Sequence, residues 1–136
     1  MVIDDIRAAI AADSALRALI PDTQAIAAAL SVGRTRPNGR EIGNGTVLET
    51  VGLVSGNRLL DVIDTEPSYR HVKPLLEQGR LVASSPVVVA ALQSMVPLVL
   101  SQAEANALIA LGRDPDPVAE IDVRRALWND DGSLAL

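Results

Sequence analysis

Three arginines form the part of this sequence whose residue type and spacing best suit binding chemistry. Arg34, Arg36 and Arg40 lie within a span of seven residues, in a segment that also holds two Asn-Gly pairs and a proline. Guanidinium groups bind phosphates and carboxylates through paired hydrogen bonds, so the segment could hold a nucleotide, a DNA duplex or an acidic protein surface. The nucleotide-binding pattern G-x-x-x-x-G-K-[ST] is not met, because Gly45 stands where the lysine is required.

The same segment, residues 33–45, is rich in glycine and arginine and is predicted to be a loop. Its Asn-Gly pairs supply the positive φ angles that tight turns need. The chain has a net charge of -5, so these cations would make a positive patch on an acidic protein. We expect the patch to dock on an acidic protein partner. A loop that is merely solvated stays the alternative.

A second alternative is that residues 23–40 form a DNA-reading helix-turn-helix. The stretch TQAIAAALSVGRTR resembles the first helix and turn of that motif, with the small Ala27 at the packing position. The second helix would begin near Gly33 but meets Pro37-Asn38-Gly39, which terminates helices. The acidic net charge also disfavours nucleic acid, whose binding depends on Lys and Arg contacts to phosphates.

Candidates for catalysis and metal binding are few. The chain has no cysteine, and His71 is the only histidine. A nucleophilic triad would need a serine and an aspartate brought to that histidine by the fold. The acids at 114–116 and 129–131 lack the D-x-[DN]-x-[DN]-G pattern of a calcium loop. We therefore expect a protein that is not an enzyme and that uses no cofactor and no metal.

Trp128 completes the set of candidate site residues. It ends the last segment with a helical pattern, and Tyr69 is the only other aromatic residue of the chain. Tryptophan serves either to fill a core or to anchor an interface. Both interpretations stay open, and we include Trp128 with the three arginines as a predicted partner-binding residue.

Helical periodicity dominates the elements that must position these residues. Ile3, Ile6 and Ile10 recur at a spacing of three and four, which predicts one buried helical stripe. Ser101 followed by Glu104 is a capping box, which marks the start of another helix. Ser85-Pro86 predicts a helix start despite the three valines that follow.

Glycines and prolines divide this helical pattern into short pieces. Thr46 is expected to cap one helix, Ser55 or Asn57 to open the next, and Pro117 to begin the last one. We predict an all-α fold: a compact, irregular bundle of seven or eight short helices in a single domain over 1–136. The apolar end of the chain could add a short strand.

Two further patterns bear on organisation. No apolar run approaches the roughly 18 residues of a membrane span, and the first residues carry acids where a signal peptide would be basic. A weak internal similarity relates ALRALIP and TQAIAAALSVGR to ALQSMVP and SQAEANALIALGR. The pairing needs gaps, and alanine bias alone can produce such a likeness.

Three stretches carry a resemblance to a known group of proteins: EIGNGTVLETVGL, YRHVKPLLEQGRL and DPVAEIDVRRALWNDDG. The chain resembles small helical proteins encoded among the structural genes of tailed bacteriophages, over about residues 1–132. The resemblance implies a role in the virion or in its assembly, through protein contacts, in the host cytoplasm or in the particle. It carries over no catalytic or binding residues.

The sequence therefore predicts a non-enzymatic protein–protein interaction module, associated with a phage particle or its assembly. Its expected partners are other phage structural proteins, and an oligomer is compatible with the pattern. The alternatives are a helix-turn-helix regulator that uses residues 23–40, and a phage accessory protein that inhibits a host protein.

Overall fold

The computed structural model describes all 136 residues and is mainly helical, with 60% of the residues in helices. The prediction of a helical bundle is confirmed at this level, whereas "all-α" is only approximate because four short strands are present. The helices are α1 (Ile3–Ala12), α2 (Ser14–Ala18), α3 (Thr23–Ser31), α4 (Asn44–Thr65), α5 (Val72–Glu77), α6 (Pro86–Ser94), α7 (Gln102–Ala110) and α8 (Glu120–Leu127), with a 3-10 helix at Pro67–Tyr69. The strands are β1 (Thr35–Pro37), β2 (Glu41–Ile42), β3 (Leu81–Val82) and β4 (Arg113–Pro115).

The strands form two small antiparallel sheets, β1 with β4 and β2 with β3. In the second sheet Glu41 is opposite Val82 and Ile42 is opposite Leu81. Residues 33–45 therefore do not form the plain loop that their glycines suggest, since both β1 and β2 lie within them. The predicted C-terminal strand is reduced to one isolated bridge between Trp128 and Leu134.

The chain divides into two compact units by the density of its internal contacts. Unit 1 consists of Met1–Thr35 and Pro115–Leu136, and unit 2 of Arg36–Asp114. The single domain over 1–136 stays a prediction.

Unit 1 is built around the isoleucine stripe of α1. Ile6 and Ile10 are fully buried, as the spacing predicts, and α1 packs against α8, which contributes Val123 and Leu127. The helix α3 also packs against α8 and buries Ile26. Aspartates cap the short helices, since Asp13 accepts a hydrogen bond from the backbone of α2 and Asp22 from that of α3.

Unit 2 has an aliphatic core enclosed by α4, α5, α6, α7 and the sheet of β2 and β3. Its centre is formed by side chains that are 3% exposed or less: Ile42, Val47, Leu59, Leu76, Ala83, Leu100, Ala105 and Leu108. The short sheet contributes Ile42 and Leu81 from opposite strands to the same core.

The longest helix, α4, is interrupted at Gly52, whose φ of 85° and ψ of 172° are not helical. The sequence predicts two helices here, and the structure shows one run with a break. The start lies at Asn44, with Gly43 as N-cap, and Thr46 instead accepts a hydrogen bond from the Gly43 N–H at 3.3 Å. Beyond the break, the buried Gly56 lets the second part of the helix approach Leu48 closely.

Two further predicted helix starts agree with the structure, and a third does not. Ser85 is the N-cap of α6 with Pro86 in the first turn, and the capping box of α7 joins Ser101 to Glu104 in both directions. The last helix begins at Glu120 rather than at Pro117, and its N-cap Ala119 has an extended backbone.

The two internally similar segments have the same order of elements. In the first segment, α2 is followed by a turn and by the nine-residue α3, and Gly33-Arg34 then leads into β1. In the second segment, α6 is followed by a turn and by the nine-residue α7, and Gly112 then leads into β4, which begins at Arg113. None of the helices is long and apolar enough to cross a membrane.

Candidate functional site

Arg34 is held in place inside unit 1 and is not a free cation. Its Nη2 lies 2.9 Å from Oδ2 of Asp116, and its Nε donates to the backbone carbonyl of the same residue at 3.2 Å. The Asp116 N–H in turn donates to the Arg34 carbonyl at 3.0 Å. Both side chains are about one-third exposed, at 30% and 33%. Asp116 therefore serves to fix Arg34.

The other two arginines of the predicted patch are exposed and form no ion pair. The backbone between them is fixed by Asn38, whose side-chain oxygen accepts from the Arg40 N–H at 2.9 Å. The Asn38 amide nitrogen donates to the Leu111 carbonyl at 3.0 Å and to Asp114 at 3.1 Å. Arg36 and Arg40 thus project from an anchored segment, and their role as partner contacts stays a prediction.

The helix-turn-helix alternative lacks its second helix. α3 ends at Ser31, and Thr35–Pro37 is the strand β1 where a recognition helix would begin. Proline supplies no backbone donor for a helix, which agrees with this outcome. Residues 23–40 do not form a DNA-reading motif of that kind.

Trp128 lies at the C-terminal end of α8 and is half-buried against the core of unit 1. Its backbone N–H donates to the Arg124 carbonyl at 3.1 Å, and its backbone also forms a bridge with Leu134. The ring has both a packed and an exposed part. Its use as an interface anchor stays a prediction.

An exposed apolar surface in unit 2 was not predicted from the sequence. Leu53, Val54 and Leu98 are 69%, 76% and 88% exposed, and we call these three residues the apolar patch of unit 2. The break at Gly52 turns the chain so that Leu53 and Val54 begin the second part of α4 pointing outward. Contiguous exposed apolar patches mark interaction sites, whereas single exposed apolar residues are common on any protein.

Polar contacts connect the segments that carry the patch. Ser55, next to Val54, lies beside the Glu104 carboxylate. Its hydrogen bond is the largest cause of the lowered pKa of Glu104, and the Ser101 backbone N–H is the second. Ser101 begins α7 and follows Leu98 by three residues. The start of α7 and the second part of α4 are therefore neighbours, and the exposed Leu98 lies four residues before α7.

Unit 2 also contains an apolar cavity of about 130 Å³. It reaches the surface beside Val87, which lines it and is 75% exposed. Its walls come from α4 to α7, the 3-10 helix and the small sheet: Ile42, Val47, Leu59, Ile63, Ser68, Tyr69, Val72, Leu76, Leu81, Val87, Val88, Ala91, Leu92, Met95 and Leu108. Sequence reasoning missed it, because a void depends on how side chains pack and leaves no signal in their order.

A polar depression on the other side of Leu76 contains the only lysine of the chain. Lys73 pairs with Asp64, which is the main reason that the pKa of this lysine is raised, and its Nζ lies 3.9 Å from Oε1 of Glu77. His71 lies exposed just before α5. No group of three or more histidine, aspartate or glutamate side chains is placed to hold a metal ion.

Comparisons of the chain with protein-family models, with curated proteins and with solved structures gave no match.

Proposed function

We propose that this protein is a non-enzymatic protein–protein interaction module that works in a phage particle or in its assembly. The observation that carries the proposal is the apolar patch of unit 2, in which Leu53, Val54 and Leu98 are more than two-thirds exposed. The resemblance of the sequence to small proteins of tailed-phage structural gene clusters supports the choice of partner.

The energetics favour a protein partner for this patch. Complete burial of one Leu or Val side chain contributes about 1.5–3 kcal/mol. A few such anchors at the centre of an interface supply most of its binding energy. In the free protein these side chains face water, so a partner that covers them recovers this energy without any rearrangement of unit 2.

Charged residues would set the specificity of the contact rather than its strength. Arg36 and Arg40 are exposed and unpaired, and they suit an acidic region on the partner. Arg34 is already engaged by Asp116, so it makes a weaker candidate than its neighbours. Trp128 keeps an exposed part that a partner could also cover.

The test uses purified virions and variants in which the patch is made polar. The chain is expected in the particle by mass spectrometry, and Leu53→Asp with Leu98→Asp should abolish its incorporation. Val32→Asp is the matched control, because Val32 is 81% exposed but lies in unit 1. Circular dichroism should show unchanged helix content for the double patch variant and for Val32→Asp.

Three outcomes distinguish the classes of function. Absence of the chain from virions would remove the structural version of the proposal. Capture of a host protein from uninfected lysate, lost with the patch variants alone, would favour the host-directed accessory role. Incorporation that survives the patch variants would show that another surface makes the contact.

A further inference from the structure

We propose that the cavity of unit 2 binds one small, uncharged, apolar molecule, such as a single aromatic ring or a branched hydrocarbon of similar volume. This site is separate from the apolar patch, and the inference does not rest on the proposed interaction function.

The size of the cavity sets the size of the ligand. Its volume of about 130 Å³ is close to that of an engineered cavity in another protein, about 150 Å³, which stays dry and binds benzene or xenon. A ligand much larger than one ring would have to displace core side chains. Met95 on the wall is unbranched and flexible, which allows small adjustments of shape.

The chemistry of the walls sets the polarity of the ligand. Aliphatic side chains such as Leu59, Leu76 and Leu108 form the deep part, and no charged residue lines the cavity. A charged group brought here would lose its hydration with nothing to pair it. The cavity therefore selects against ions and strongly polar molecules.

The mouth explains how a ligand enters. Val87 is 75% exposed, Tyr69 is half-buried, and both line the cavity, so it reaches solvent between α6 and the 3-10 helix. The Ser68 hydroxyl already donates to Glu66 at 3.0 Å. Tyr69 is the only other polar residue that lines the cavity.

Benzene is the probe, and methyl NMR spectra of the full chain are the measurement. Saturable shifts are expected for the methyl groups of Leu76, Leu92 and Val88, with none for Ile6 and Ile10 of unit 1. Benzoate, the same ring with a charge, should produce no saturable shift. Equal binding of benzoate, or benzene shifts spread over both units, would overturn the proposal without any variant.

A pair of variants on α6 then locates the site. Ala91 lines the cavity, whereas the adjacent Ala90 is exposed. Ala91→Leu should weaken benzene binding by on the order of tenfold or more, which corresponds to about 1.4 kcal/mol. Ala90→Leu makes the same change outside the cavity and should leave the affinity unchanged. Equal affinities in the two variants, or no saturable shift in the unaltered chain, would refute the site.

Discussion

Arg34 and Asp116 lie 82 positions apart in the sequence, yet the guanidinium nitrogen and the carboxylate oxygen meet at 2.9 Å. The backbones of the same two residues are also joined, by the hydrogen bond from Asp116 to the Arg34 carbonyl. The pair closes unit 1 where the first of its two chain segments ends and the second begins. One of the three arginines predicted to bind a partner thus also joins the two chain segments of unit 1.

Arg34→Ala should lower the free energy of unfolding by about 1 kcal/mol, because it removes an ion pair and a hydrogen bond that are only partly screened by solvent. Arg36→Ala removes an equal charge from an exposed position and should change stability by less than about 0.5 kcal/mol. Urea denaturation of both variants measures the difference. Equal effects would show that the Asp116 contact adds nothing.

Glu120 should make part of the stability depend on pH. The Thr23 hydroxyl donates to its Oε1 at 2.6 Å and, with a smaller effect from Arg124, holds the pKa of Glu120 below its usual value. The stabilisation that Glu120 gains from these contacts is therefore fully present above the usual glutamate pKa of about 4.3. It is lost as the pH falls through the lowered pKa of Glu120 in the folded protein.

Thr23→Val should raise the pKa of Glu120 and destabilise the protein more at neutral pH than at a pH of about 3. Carboxyl-carbon NMR titration and unfolding at the two pH values measure these effects. Thr50→Val is the control, because the Thr50 hydroxyl donates to the Thr46 carbonyl, away from Glu120. A stability difference that does not change with pH would contradict the assignment.

Gly112 should not tolerate a side chain. A Cβ atom at this position would lie 2.6 Å from the backbone nitrogen of Ser84 and 2.7 Å from the carbonyl carbon of Ala83, so the backbone would have to move. Gly112→Ala is expected to cost about 1–3 kcal/mol in unfolding free energy. Gly45→Ala, in the first turn of α4 with open space around it, should be neutral or slightly stabilising. Similar results for both would be inconsistent with the tight contact.

Gly52 should resist substitution for a different reason. Nothing lies within 4 Å of a Cβ at this position, but its φ of 85° with ψ of 172° falls in a region that is essentially restricted to glycine. Gly52→Ala should lower the unfolding free energy by about 1–3 kcal/mol. Gly52→Asn should not rescue it, because asparagine tolerates the left-handed helical region and not this one. Wild-type stability in either variant would mean that the break in α4 can be reshaped without cost.

The elements that were predicted well are those whose signals are local. The isoleucine stripe of α1 fixes its buried face by spacing alone, and the capping box at Ser101 needs only residues three apart. A helix begins at Ser85-Pro86 although three β-branched valines follow, because a helix start depends on the cap and the first turn.

The errors share a physical cause, which is pairing between distant parts of the chain. Residues 33–45 contain turn signals, and nothing local shows that Glu41 and Ile42 will meet Val82 and Leu81. Nothing local shows either that Asp116 will pair with Arg34. The apolar patch and the cavity were missed for other reasons, since the patch depends on the break at Gly52 and the cavity on packing among several helices.

The discontinuity of unit 1 has a consequence for biosynthesis. A nascent chain that has emerged as far as Asp114 contains every residue of unit 2, but α1 still lacks the Val123 and Leu127 side chains that cover Ile6 and Ile10. Until α8 leaves the ribosome, that isoleucine stripe lacks the part of its native cover that α8 provides. α1 thus reaches its final surroundings only after residues far along the chain have been translated.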